Sequence, residues 1–386
     1  MPLTKTRVVK WKESLKLQKP IKNSKTYSLE VIDVVQGLRI PDNLFATIPD
    51  APWIISRRKS PVGDIPRVGT ELNWQDVTGS WKARWGINRM NFNVVPGLYC
   101  VGEPDDSSPV FVTANYKMTF DRVRKALAGM SAWILVLDTR GINVWCAAGK
   151  GTFGTAELIR RIALAGLGQI VSHRTIIVPQ LGATGVAAHE VRKQTGFKVI
   201  YGPVRAEDIS AFVTSGMKAT REMRRIKFDF YDRLVLTPVE LTGLRKPLLI
   251  IMLAFIFTHI TGIFKITLLD LYAFMGAILV GAVITPVLLP WIPGRAFSFK
   301  GWLLGMLWAV LVINWGAYLS RPHGLWVSLS QILILPAISA FLALQFTGAS
   351  TFTSLSGVKK EMKVAMPVII ISTVLGLATW LAGRFI

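Results

Sequence analysis

Cysteine is almost absent: the 386 residues contain two, Cys100 and Cys146. That excludes a disulfide framework and any resident four-iron cluster, which takes four thiolates, and it fits a reducing cytosol. Histidine is nearly as scarce. His173, His189, His259 and His323 show no zinc spacing, and no Ser-centred elbow, kinase motif or helix-turn-helix accompanies them. Acid is in deficit, with 23 Asp and Glu against 45 Lys and Arg, a formal charge of +22. Without an RNA or DNA motif, that excess points away from nucleic acid and toward anionic lipid or the cytoplasmic flanks of membrane helices. The basic N-terminus also lacks an apolar core of signal-peptide length, so nothing predicts its export.

What the chain has in excess is apolar side chains, at 51%, and they are unevenly placed. Residues 1–95 are basic (Lys5, Arg7, Lys10, Lys12, Lys16, Lys19, Lys22, Lys25) and broken by Pro and Gly, with tryptophan at Trp11, Trp53, Trp74, Trp81 and Trp85; they read as an N-terminal arm with some packed parts. Residues 96–216 alternate short apolar runs with helical segments, the pattern of an α/β domain with a mainly parallel sheet and flanking helices. The strand candidates are "PVFVTA" from Pro109, "WILVLD" from Trp133, "TIIVPQ" from Thr175 and "KVIYGP" from Lys198. Helices are expected over 119–127, 155–167, 186–195 and 206–213. In such sheets ligands bind beyond the carboxyl ends of the strands. Residues 217–246, with Arg221, Arg224, Arg225, Lys227, Arg233, Arg245 and Lys246, read as a basic juxtamembrane linker.

From 247 to 386 an all-α transmembrane bundle of five helices is expected, over 247–264, 267–289, 301–319, 325–346 and 365–381. Arg295, Lys300, Lys359, Lys360 and Lys363 fall on one side and Lys265, Arg321 and Arg384 on the other. This bias predicts a multi-pass protein of the cytoplasmic membrane, with the N-terminal domain in the cytoplasm and the C-terminus outside. No acidic residue stands at mid-depth: Asp270 lies near an end, and the central polar groups are His259, Asn314 and Gln331. An anchor or docking bundle is favoured over a transport path.

The stretch "LDTRGINVWCAAGKGTFG", Leu137 to Gly154, sets one of the two cysteines among small residues just after a buried strand. Asn143 is a strong N-cap type and would start a short helix at Val144, placing Cys146 in its first turn. Unpaired amides there favour the nucleophilic or metal-ligating form of cysteine. Gly149 and Gly151 would break the helix, and Lys150 adds positive charge. The residues alone leave two readings open, a functional thiol or a small buried hydrophobe. Cys100, in "PGLYCVGEP", reads as the latter. A phosphate loop is excluded, since its first glycine would fall on Val144. His189, beside Glu190, reads as a surface or packing histidine.

"NVWCAAGK", Asn143 to Lys150, is similar at every position to the cap-helix signature of the mercury-methylating corrinoid protein family (HgcA), related to the corrinoid domain of the corrinoid iron-sulfur protein. "SPVFVTANYKMTFDRVR", "VPQLGATGVAAHEV" and "GFKVIYGPVRAEDISAF" also resemble segments of that family, from about Trp85 onward. The resemblance implies a cobalt corrinoid over the strand ends, with Cys146 as lower axial ligand and catalytic residue. The D-x-H-x-x-G ligand string of the generic cobalamin module does not occur. It further implies that Asn143, Val144, Trp145 and Ala147 shape the cap, that Thr113 and Asn115 in "VTAN" contact the cofactor, and that Gly149, Lys150, Gly182, Gly185 and Gly202 lie against the macrocycle. The implied activity is that of a methyltransferase carrying a methyl group from the folate-linked acetyl-CoA pathway to Hg(II), forming methylmercury. The implied reductant is a ferredoxin-like partner with two four-iron four-sulfur clusters (HgcB type). A corrinoid methyl carrier with another acceptor, or a docking protein without corrinoid, are the alternatives.

Overall fold

The computed structural model describes residues 48–262, 267–320 and 323–385. The basic cluster Lys5 to Lys25, Trp11, Lys265 and Arg321, and the side chains of His259 and Arg384, lie outside the described residues. Among those residues the chain divides into two compact units, 48–73 with 93–224 and 74–92 with 225–385.

The first unit is built on one seven-stranded sheet in the order β1-β2-β3-β5-β4-β6-β7. The strands are β1 (Ile54–Arg58), β2 (Ile65–Val68), β3 (Gly97–Val101), β4 (Val110–Ala114), β5 (Ala132–Leu137), β6 (Thr175–Val178) and β7 (Lys198–Tyr201). β5, β4, β6 and β7 are mutually parallel, β2 joins β3 in parallel, and the β1–β2 and β3–β5 pairs are antiparallel. Every residue of β3, β4 and β5 is buried. With both faces covered, these strands are continuous apolar runs and do not alternate.

The four expected strands are β4 to β7, with helices Lys117–Ala126, Thr155–Leu164, Ala188–Thr195 and Ile209–Thr214 between and after them. The sheet is wider than those four: β1 and β2 come from the segment read as an arm, and β3 carries Cys100. A buried charge cluster fastens the chain after β2. Asp121 pairs with Lys117 and Arg124, and Arg124 donates to the carbonyls of Gly69 and Glu71. All the donors have acceptors, the condition under which such a cluster is tolerated inside.

In the second unit four helices are long and apolar enough to cross a bilayer: Leu268–Leu288, Phe297–Trp315, Gly324–Gly348 and Ser356–Gly383. The first expected span is shorter. Arg245–Thr261 has 17 residues, about 25 Å at ~1.5 Å per residue, against a hydrocarbon core of roughly 30 Å. It reaches spanning length only together with Phe230–Gly243, across a 52° bend. Asp270 lies in the first turn of its helix, where it forms a capping box with Thr267 and accepts from Tyr318 Oη at 2.9 Å. Trp308 Nε1 and Ser339 Oγ donate to the carbonyls of Ala273 and Ala277. These polar groups thus find partners within the unit, the condition that a segment crossing a bilayer would have to meet.

Candidate functional site

From β4 the chain moves to β5 on one side, then crosses back past β4 to β6 on the other. β4 and β6 therefore flank a topological switch point, where open α/β sheets take ligands beyond their carboxyl ends. The helix Val144–Lys150, which follows β5, packs against the end of β4 and against the turn Gln180–Gly182 after β6. It lies across the switch point.

The loop that delivers this helix is pinned from beneath. Asn115, buried just past β4, accepts from Thr139 N at 3.0 Å, Thr139 Oγ1 at 2.8 Å and Gly141 N at 3.0 Å. Arg140 and Gly141 have φ of 58° and 72°, the left-handed region that makes a tight turn, and Asp138 Oδ1 accepts from Arg140 N within it. Asp138 N donates to Glu157, which Arg161 holds.

Asn143 is the N-cap, its side chain accepting from Cys146 N at 2.9 Å. Cys146 therefore stands in the first turn, its amide held by the cap. The helix continues through Gly149 to Lys150, so Gly149 does not break it as expected. Gly151 does, at a φ of 79° that L side chains rarely adopt.

The helix has two unlike faces. Val144, Ala147 and Ala148 are buried against the domain, while Trp145, Cys146, Gly149 and Lys150 are exposed. Small inward residues let the helix sit close to the loops beneath. A Cβ at Gly185 would fall 2.2 Å from Phe153 O and 3.1 Å from Ala148 Cα, and one at Gly182 would fall 2.4 Å from the Phe153 ring. Thr155 completes the seat: its amide donates to Gly185 O, and its hydroxyl accepts from Ala187 N.

The structure sorts the expected cofactor residues by these positions. Cys146, Trp145, Gly149 and Lys150 share the open face, and a Cβ at Gly149 would meet nothing within 4 Å. Val144 and Ala147 form the seat under it. The close contacts at Gly182 and Gly185 are with the chain itself, and at Gly202 with Ile177. The acceptor atom of Asn115 is occupied by the loop. Thr113, buried on β4, has a hydroxyl oxygen with no hydrogen-bond partner, an unused polar group at the carboxyl end of that strand. Sequence reasoning missed the loop-pinning role of Asn115 and the seating role of Phe153 and Thr155, whose signals are tertiary. Cys100 is buried in β3, its thiol 3.7 Å from Pro66 O, and burial pushes it up to about 12.

Among the described residues no three His, Cys, Asp or Glu side chains gather to hold a metal ion, so a bare ion would find no chelate here. A metal already held in a macrocycle needs a single axial donor, and one exposed sulfur on an open helix face fits that requirement.

Residues 88–213 match the family described as CO dehydrogenase/acetyl-CoA synthase delta subunit, a stretch that holds β3 to β7 and the whole Val144–Lys150 helix. The chain is 31% identical over 127 residues to the acetyl-CoA decarbonylase/synthase complex subunit gamma of Archaeoglobus fulgidus, covering 32% of this chain and 27% of that protein. It is 33% identical over 177 residues to the same subunit of Methanothermobacter thermautotrophicus, covering 45% and 38%. It is 29% identical over 119 residues to the corrinoid/iron-sulfur protein large subunit of Moorella thermoacetica, covering 30% and 26%. The chain spans well under half the length of each of these relatives.

Proposed function

We propose that the first unit holds a corrinoid against the open face of the Val144–Lys150 helix, with the Cys146 sulfur as lower axial ligand to cobalt, and that the chain methylates Hg(II). The observation that carries this reading is one exposed cysteine, in the first turn of a capped helix lying across the switch point. Similarity to a corrinoid/iron-sulfur protein supports the choice of cofactor. A corrinoid, when bound, supplies a cobalt centre that takes a methyl group from a donor and releases it to an acceptor.

The chain's own residues hold and tune that centre. Cys146 offers a soft, anionic donor that raises electron density at the metal more than imidazole would, which suits release of a methyl group to a soft acceptor such as Hg(II). Asn143 fixes the turn that carries the sulfur. Trp145 and Lys150 share the exposed face with the sulfur, the indole offering a flat apolar surface and Lys150, one turn on from Cys146, a cation to a bound group. The Thr113 hydroxyl is available to an acceptor on the cofactor's periphery. Cys100 is buried, and two cysteines make no iron-sulfur cluster, so reducing electrons come from a separate ferredoxin-like protein with two four-iron clusters. The methyl donor belongs to the folate-linked acetyl-CoA pathway.

The second unit anchors the chain through five spans, the bent pair counting as one, with the corrinoid unit on the cytoplasmic side and the C-terminus outside. Arg295, Lys359, Lys360 and Lys363 then face the cytoplasm, in keeping with the positive-inside bias.

The test is direct. Protein purified from corrinoid-supplied cells should carry cobalt and a corrinoid spectrum, and Cys146→Ala should abolish methylmercury formation while Cys100→Ala leaves it intact. A cobalt-free wild-type preparation defeats the cofactor assignment. The relatives named for acetyl-CoA decarbonylase/synthase complexes favour one other reading, a methyl carrier with a different acceptor. Methyl transfer to Hg(II) in competition with other acceptors separates the two.

A further inference from the structure

Trp74, Trp81 and Trp85, in the segment read as an arm, have no part in the site described above. Trp74–Arg84 is an 11-residue helix, and the segment Trp74–Phe92 belongs to the same compact unit as the candidate spans. Its polarity is inverted relative to a helix on a soluble domain. The face turned to the protein is made of Asp76 and Ala83, 4% and 1% exposed, with Gly79 against the Phe92 ring. Trp74, Trp81 and Trp85 are 78%, 66% and 45% exposed.

At about 100° per residue those three positions fall within an arc of roughly 40°, opposite the buried pair. Val77 widens the apolar face, and Ile87 and Met90, 57% and 61% exposed, add apolar surface beyond the helix end. Three aligned tryptophans with an apolar continuation are far more than the scattered exposure a water-facing surface carries. Indole, with an apolar body and one N–H donor, is the side chain that prefers the boundary between hydrocarbon and headgroups.

The surroundings say which partner covers this face. The turn after the helix reaches the bent pair, since a Cβ at Gly86 would lie 3.0 Å from the Thr242 hydroxyl. Three residues beyond Thr242 the apolar helix Arg245–Thr261 begins. Its first turn exposes Arg245 and Lys246, and its body exposes Leu249, Ile250, Leu253 and Phe257. Lys82, exposed, stands at the edge of the tryptophan stripe. Indoles, flanking cations and an adjoining lipid-type surface together form the pattern of an interfacial segment on an anionic leaflet.

We propose that Trp74–Phe92 is a monotopic membrane anchor whose Trp74, Trp81 and Trp85 face seats in the headgroup boundary of a bilayer containing anionic lipid. This rests on the membrane reading of the second unit. It adds a second mode of attachment, in which the segment lies in the plane of the leaflet at the foot of the spans.

Site-directed spin labelling of the full chain in phosphatidylcholine/phosphatidylglycerol vesicles tests it. In a Cys146→Ala background, Cys100 being buried, single labels are placed at Trp81→Cys, Lys82→Cys and, as a control on the spans, Leu311→Cys. Collision with dissolved oxygen should exceed collision with a water-soluble nickel chelate at 81 and 311, with the preference reduced at 82. Lipid-like behaviour at 311 with water-like behaviour at 81 overturns the anchor and leaves the membrane reading intact. A label at 81 shielded from both probes, as burial in a second protein would give, also overturns it. Water-like behaviour at 311 removes the membrane reading, and the anchor falls with it.

Discussion

Replacing Asn115 by Ala separates two roles that the residue's position allows. If the side chain served the cofactor directly, the cofactor-free protein would not notice its loss. The structure instead has its Oδ1 accept three hydrogen bonds, two of them from backbone amides of the loop that launches the Val144–Lys150 helix. The Thr139 hydroxyl keeps a second acceptor in Ile142 O at 2.6 Å, so truncation orphans the amides of Thr139 and Gly141. Both residues are buried. At about 1–3 kcal/mol for each unsatisfied buried donor the loss is roughly 2–6 kcal/mol, in the lower half of that range if water enters the space left by the amide. For a unit of this size that corresponds to a drop on the order of 5–15 °C in melting temperature. The assay is thermal unfolding of the cofactor-free full chain, together with amide exchange of the 138–143 loop, where Thr139 and Gly141 should lose protection first. Asn115→Asp keeps an acceptor and should restore most of that protection, less whatever its approach to the Asp138 carboxylate costs. An Asn115→Ala protein with unchanged melting and exchange that lost only its corrinoid would refute the pinning role and return Asn115 to the cofactor.

Other outcomes follow from the same geometry. Asn143→Ala removes the cap on Cys146 N and should cost about 0.5–2 kcal/mol of local stability, read as faster exchange at Cys146; Asn143→Asp should be close to neutral. Gly185→Val would drive a side chain into Phe153 O and Ala148, and should lower corrinoid content without touching the open face, a loss seen in cobalt analysis. At pH 8, iodoacetamide should modify one equivalent of thiol in the folded, cofactor-free chain, and peptide mapping should find it on Cys146. Cys100, pushed from its ordinary value near 9 up to about 12 by burial, is a neutral thiol in both folded and unfolded chains below about pH 9 and has no effect on stability there. Above that the unfolded chain releases the proton first, so the contribution of Cys100 lowers stability progressively toward pH 12; Cys100→Ala should remove that part of the slope in alkaline denaturation.

Legibility in the sequence tracked how local each cause is. β4, β5, β6 and β7 were visible because each is a short apolar run bounded by small or polar residues, and the Asn143 cap was visible because a helix start is written in adjacent residues. β1 and β2, "IISRR" and "IPRV", carry too few apolar residues to announce themselves and become strands by pairing, β2 on the edge of β3 and β1 on β2. Asn115 has a partner that the sequence hides: "VTAN" locates it at a strand end, but only the fold shows that a loop more than twenty residues on closes over it. Gly182 and Gly185 likewise looked like places for a ligand to approach, and their close neighbours are Phe153 and Ala148. The five apolar runs were plain, yet hydropathy along the chain does not register the break between Gly243 and Arg245 that leaves the first run short.

The two faces of the Val144–Lys150 helix explain why small residues are concentrated around Cys146. A sulfur that serves as an axial ligand must be held at a fixed height, because metal–sulfur distances tolerate only a few tenths of an ångström. Past the buried Val144 at its start, helix height is set by what lies against the loop below, here Ala147 and Ala148 on the helix and Gly182 and Gly185 on the loop. None of these has a side chain longer than a methyl, so little can lift the helix. Phe153 then wedges against that loop, and the Asn143 cap and Gly151 turn fix where the helix begins and ends. The outward residues are free of packing duties, which leaves Cys146 exposed without making it mobile. A bulky residue at 147 or 148 should therefore impair the site as severely as a change at the cysteine's own neighbours Trp145 and Gly149, although neither alanine faces the open side. If Ala148→Leu left corrinoid content and methyl transfer unchanged, the seating of the helix would not be what positions the sulfur.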